Sequence, residues 1–170
     1  MLEIKSDPET LQDATARAEV VAAVVAEVRA LGLTQRTLMH SFDWALLAEC
    51  ARQAPEMPTS YLTQLPENEA DIGEDHAAPT IPGLTQENAS LPDLVAQAGG
   101  ALWCPYYLDV TADQVARAQD LGLRVAVWTV NDLADVDRMI SLGVDAIVTD
   151  YPGRVQRCLL NQGLVWSDQR

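Results

Sequence analysis

Apolar positions along this 170-residue chain fall into short runs separated by longer segments of helical period. The runs predict strands at Leu2 to Lys5, Arg36 to Phe42, Thr59 to Thr63, Ala101 to Tyr106, Arg124 to Val130 and Ala146 to Asp150. Between the first two, Val20, Val21, Val24, Val25, Val28 and Leu31 keep a 3.6-residue spacing. Thr15 to Leu31 therefore reads as a helix that Gly32 stops. A second helix is expected after Asp43. Thr111 and Gln114 have the form of a capping box, and that helix runs to Leu121 with Gly122 as its left-handed stop. Another starts at Asn131 or Asp132 and ends at Gly143, and the last follows Pro152-Gly153 and stops before Gly163. Strand, helix and glycine stop recur in turn, which predicts an α/β fold with a parallel sheet covered by helices.

One stretch breaks this rhythm. Pro66 to Pro92 contains four prolines and the acidic residues Glu67, Glu69, Asp71, Glu74 and Asp75. It reads as a long loop inside a single domain spanning residues 1–170, either plainly solvated or a lid over the mouth of the fold.

A formal net charge of −14 excludes nucleic acid as a natural partner and disfavours docking on anionic membranes. No 18 consecutive apolar residues occur, so no spanning helix is expected, and the first residues lack a signal-peptide pattern. The expectation is a soluble protein of the cytoplasm or periplasm. Cys50, Cys104 and Cys158 are widely spaced and odd in number, which suits neither a zinc ribbon nor a disulfide framework; they read as small buried residues.

Strand alternation gives the candidate chemistry. Glu3 and Lys5 share one face of their strand, with Leu2 and Ile4 on the other. Glu suits a hard cation such as Mg²⁺ or Ca²⁺ and Lys a phosphate oxygen, although a surface strand with an ordinary ion pair has the same spacing. Trp128 shares a face with Ala126 and Val130, as either an aromatic wall at the mouth of the fold or a residue buried under a helix. His40 reads as a packed, hydrogen-bonded neighbour, His76 as a solvated residue of the acidic loop, and Asp150 as a cap for the last helix.

Glu3-Ile4-Lys5, Ser41-Phe42-Asp43, Leu102 to Tyr107, Trp128-Thr129-Val130-Asn131 and Gly143 to Asp150 resemble, in that order, the carboxyl-terminal part of the glycerophosphodiester phosphodiesterase family. The resemblance covers most of the chain. It implies an incomplete (β/α)₈ TIM barrel with about six of eight parallel strands. It also implies hydrolysis of glycerophosphodiesters to an alcohol and glycerol 3-phosphate, with a divalent metal (Mg²⁺ or Ca²⁺) held by three acidic groups and two histidines as acid and base. Glu3 matches the third metal carboxylate, Lys5 the basic residue beside it, and Trp128 the aromatic wall of the substrate pocket. The family's His-Arg-Gly strand and its Glu-x-Asp strand have no counterpart, so no catalytic residue is assigned. By itself the chain is expected to be an inactive fragment, truncated at the N-terminus, that self-associates through open sheet edges. A non-catalytic truncated barrel serving as a binding or pairing module, and a phospholipase D-like relative on the same barrel, are the alternatives.

Overall fold

The computed structural model describes residues 1–6, 13–65 and 90–164. Six strands alternate with six helices: β1 (Leu2–Glu3), α1 (Ala14–Ala30), β2 (Met39–Ser41), α2 (Trp44–Gln53), β3 (Thr59–Thr63), α3 (Leu91–Gln97), β4 (Leu102–Pro105), α4 (Ala112–Asp120), β5 (Arg124–Val127), α5 (Leu133–Leu142), β6 (Ala146–Ile147) and α6 (Pro152–Asn161). Every neighbouring pair is parallel and the spatial order is the chain order, β1 to β6. That arrangement is six successive units of an α/β barrel, open between β6 and β1 among the described residues.

The helices begin where short polar side chains satisfy their first amides. Asp13 accepts from the Thr15 amide, Asp43 from Leu46 and Asp132 from Ala134. At Thr111 both bonds of the capping box form, its hydroxyl accepting from the Gln114 amide while the Gln114 side chain accepts from the Thr111 amide. Gly143, at φ 76°, closes α5 in the left-handed conformation that L side chains avoid.

Alternation along the strands separates two apolar layers. Ile4, Met39, Tyr61, Trp103, Val125 and Val127 pack with Val21, Leu46, Leu47, Val95, Val115 and Val136 from the helices, and form the main core. Leu62, Cys104, Tyr106, Ala126 and Trp128 form a smaller cluster on the opposite, concave face, with Phe42 and Val148 against it. Burial grades across the sheet. All five residues of β3 are buried, whereas Ala146 of β6 and Glu3 of β1 are exposed.

Several expectations are corrected. The predicted strand Arg36 to Phe42 is shorter, because Thr34–Arg36 forms a 3₁₀ turn and pairing begins at Met39. The edge strands end at Glu3 and Ile147, earlier than predicted, and each has a neighbour on one side only among the described residues. Pro92 belongs to the first turn of α3, which Ser90 caps; the helix went unread because its seven residues are too short to show a period. The remainder of the predicted 66–92 loop, with His76, lies outside the described residues apart from Ser90 and Leu91. Asp150 does not cap α6, whose N-cap position is Tyr151 without a side-chain bond. Among the described residues no helix is long and apolar enough to cross a membrane.

Two glycines separate close packing from backbone strain. A Cβ at Gly100 would lie 2.7 Å from Val95 Cγ1 and 2.9 Å from Tyr61 Cδ2, whereas one at Gly122 would meet nothing within 4 Å but sits at φ +80°. We expect Gly100→Ala to cost roughly 1–3 kcal/mol through overpacking and Gly122→Ala about 1 kcal/mol through strain. Urea unfolding of the two variants checks the order.

Candidate functional site at the carboxyl ends of the strands

Parallel pairing brings the carboxyl ends of all six strands to one rim. Along the hydrogen-bond ladder Glu3 is level with His40, Ser60, Leu102 and Arg124. Strands in an eight-stranded barrel advance by about one residue per strand, from a shear of about 8 over eight strands. Four strands on, the height of Glu3 is therefore that of Trp128, four residues past Arg124. The ring contact between Phe42 and Trp128, 5.5 Å between centroids at 86°, is offset in the same direction: Phe42 extends the ladder level of Ala126, and Trp128 lies two residues past it across three strands.

Glu3 faces the concave side. Ile4 beside it is buried among the helix-facing residues, and the Glu3 carboxylate acts, after burial, to push the Cys104 thiol upward. Lys5 Nζ stands 4.0 Å from Glu3 Oε1, with the lysine largely exposed. This is the ordinary ion-pair geometry, and such a partly solvated pair contributes little to stability.

Trp128 is 8% exposed and lies in the concave cluster, not beneath a helix. Its Nε1–H donates to the Cys104 carbonyl at 2.9 Å, and its ring meets Tyr106 at 5.3 Å. With Tyr106, Tyr107, Thr129, Asn131, Asp132 and Asp135 it lines a depression of about 340 Å³. The aromatic side of that depression offers an apolar wall, and its acidic side lies on the first turn of α5.

Sequence reasoning missed the residues that hold this rim together. Asn131, read as a helix start and as the end of the Trp128 to Asn131 run, donates from Nδ2 to Asp150 Oδ2 at 2.8 Å. Its Oδ1 accepts from the Asp150 amide and the Thr149 hydroxyl at 3.0 and 3.1 Å. It thereby ties the turn after β5 to the end of β6. Ser41 links β2 to β1 by donating to the Ile4 carbonyl at 2.7 Å. His40 is buried and within 2.8 Å of the Ser60 hydroxyl through Nδ1, a packed neighbour as its strand position suggested. Strand alternation across Thr59 to Thr63 was the available signal for Ser60, which it sets on the concave face with Leu62.

A divalent cation does not fit what is present. Such an ion takes six or more oxygen ligands, and the described residues contain no group of three or more His, Cys, Asp or Glu able to hold a metal.

Comparison with known proteins gives a consistent match. The Glycerophosphoryl diester phosphodiesterase family model matches residues 1–154. A crystal structure from Silicibacter pomeroyi DSS-3, assigned as a glycerophosphoryl diester phosphodiesterase, is 56% identical with a TM-score of 0.84, covering 98% of this chain and 52% of that one. The Glycerophosphodiester phosphodiesterase of Caldanaerobacter subterraneus is 25% identical over 129 residues, 76% of this chain and 44% of the relative. An Oleispira antarctica phosphodiesterase, solved with the product sn-glycerol-3-phosphate, shares the fold at 18% identity and a TM-score of 0.67, covering 92% of this chain and 53% of that one. The chain thus spans about half the length of these relatives.

His40 gives a pH test. Burial above all lowers its pKa from 6.5 to about 4, against an opposing hydrogen bond to the Ser60 backbone. The unfolded chain therefore takes up this proton first as pH falls, so stability is lost between about pH 6.5 and 4 and levels off below. At about 1.4 kcal/mol per pH unit the loss is on the order of 3 kcal/mol. Urea unfolding at pH 7 and pH 4.5 should show a smaller loss in His40→Gln than in the parent; equal losses would place the titration elsewhere.

Proposed function

We propose, since the chain belongs to the glycerophosphoryl diester phosphodiesterase family, that its concave rim forms part of the site of a phosphoric diester hydrolase. The substrate class is a glycerophosphodiester of lipid metabolism, cleaved to an alcohol and glycerol 3-phosphate. What supports this reading is that Glu3 alternates with the helix-facing Ile4 and that Trp128 belongs to the concave cluster, each near the carboxyl end of a parallel strand.

The roles follow from chemistry. The Lys5 ammonium is solvated enough to reach a phosphoryl oxygen, and it balances the Glu3 carboxylate until a ligand arrives. Trp128, backed by Phe42 and Tyr106, presents an apolar surface to the carbon skeleton of the glycerol unit. Its indole N–H is engaged by Cys104, so the ring contributes shape and not a donor. Glu3 is the one carboxylate that the resemblance assigns to a divalent metal, and the described residues supply no group of three His, Cys, Asp or Glu to hold such an ion. Among the described residues no group able to hold a metal surrounds Glu3, and the chain alone is expected to bind without turning over. The non-catalytic alternative applies in that restricted sense.

Titration with sn-glycerol 3-phosphate, followed by nitrogen-resolved NMR of the indole groups, tests the reading. The Trp128 indole resonance should shift while those of Trp44 and Trp103 stay in place, and Lys5→Ala should weaken the effect severalfold. A shift confined to other residues, or one that Lys5→Ala leaves unchanged, would contradict it.

A further inference from the structure

The depression beside Trp128 has two unlike walls. On one side Tyr106 meets Tyr107 at 4.9 Å between centroids and 68°, and meets Trp128 at 5.3 Å, so three aromatic rings lie side by side. Tyr106 and Trp128 are buried behind that surface and Tyr107 is half-buried. On the other side stand Asp132, at the N-cap of α5, and Asp135, in its first turn. Among the described residues that line the depression there is no lysine or arginine.

The start of a helix ordinarily draws an anion. Here the protein's own carboxylates take that place. Asp132 Oδ1 accepts from the Ala134 amide at 2.8 Å, and Asp135 adds a second negative charge to the same turn. The nearby guanidiniums are engaged elsewhere. Arg138 donates from Nη2 to the Tyr107 carbonyl at 2.7 Å, and its Nε approaches Asp135 Oδ1 only to 3.8 Å. Arg154 donates to the Asn131 carbonyl and lies over the Tyr151 ring, 4.5 Å from its centroid. Two carboxylates thus face three rings with one loosely paired cation between them. Such a wall repels phosphate and attracts an ammonium group, which the negative faces of aromatic rings also favour. The volume, about 340 Å³, suits a small group, at the lower end of the roughly 300–1,000 Å³ of ligand pockets.

We propose that this depression is the subsite for the alcohol part of the diester and that it selects an alcohol bearing an ammonium group, with Asp132 and Asp135 as specificity-determining residues. This rests on the hydrolase reading above and narrows it to diesters with cationic headgroups, over neutral or anionic ones. Trp128 borders both this depression and the surface given to the glycerol unit, so one diester can span them.

Nitrogen-resolved NMR of the 170-residue chain tests the proposal, with three separate titrants: choline, its uncharged isostere with a tert-butyl group in place of trimethylammonium, and sn-glycerol 3-phosphate. Choline should shift the Trp128 indole and the backbone amides of Tyr107 and Asp135. It should bind about tenfold more tightly than the isostere, the margin of a partly desolvated cation–π contact. Asp135→Asn and Asp132→Asn, the second of which keeps a capping side chain, should each weaken choline severalfold, leave the isostere unchanged and bind sn-glycerol 3-phosphate no more weakly. Equal affinity for choline and the isostere, a comparison that needs no variant, overturns the proposal. So does a choline response that both variants leave intact. The glycerol phosphate arm separates the two readings. A Lys5-dependent shift with sn-glycerol 3-phosphate and none with choline upholds the hydrolase site and removes the cationic subsite. A choline response with none to sn-glycerol 3-phosphate overturns the assignment of the depression to the diester.

Discussion

The parallel ladder from β1 to β6 governs where every side chain of this protein can go. Because each strand runs the same way, its carboxyl end is delivered to one rim; because side chains alternate, each strand divides its residues between helices and concave face. Glu3 and Trp128 need no direct contact to belong to one region. The ladder puts them on the same face, and the one-residue advance per strand brings them to the same height.

Around that ladder the rim is fastened by a few short polar side chains. Asn131 and Ser41 each join adjacent strand ends, and Trp103 Nε1 donates to Thr63 Oγ1 at 2.9 Å on the helix side of β3 and β4. The Ser41 and Trp103 bonds are buried, where leaving one partner unpaired costs about 1–3 kcal/mol, whereas the Asn131–Asp150 bond is exposed. Between β3 and β5 the sheet is therefore both packed and pinned. Toward β6 the device at Asn131 is exposed, and at β1 the Ser41 bond stays buried while Glu3 itself is exposed.

Much of this was legible in the sequence. The capping box at Thr111, the left-handed Gly122 and Gly143 and the whole of β3 announced themselves through local chemistry, which does not depend on distant contacts. Alternation grouped Glu3 with Lys5 and Trp128 with Ala126, but left open which face looks inward. What was illegible depends on distance. The Asn131 bonds to Thr149 and Asp150, eighteen and nineteen residues on, have no local signature, and so Asp150 was read as a helix cap. The early ends of β1 and β6 go with having one neighbour among the described residues, which the short runs Leu2 to Lys5 and Ala146 to Asp150 do not record.

Native-state amide hydrogen exchange at micromolar protein tests the open-edged ladder most directly. Ile4 and Val148 each donate to an inner strand from an edge, to His40 O and Val127 O, whereas Met39 and Tyr106 donate from the interior, to Pro58 O and Thr63 O. The account predicts opening free energies for Ile4 and Val148 at least about 2 kcal/mol below those of Met39 and Tyr106, the mark of local opening at a free edge. Equal protection at all four amides would contradict it, because edges as stable as the centre are not open.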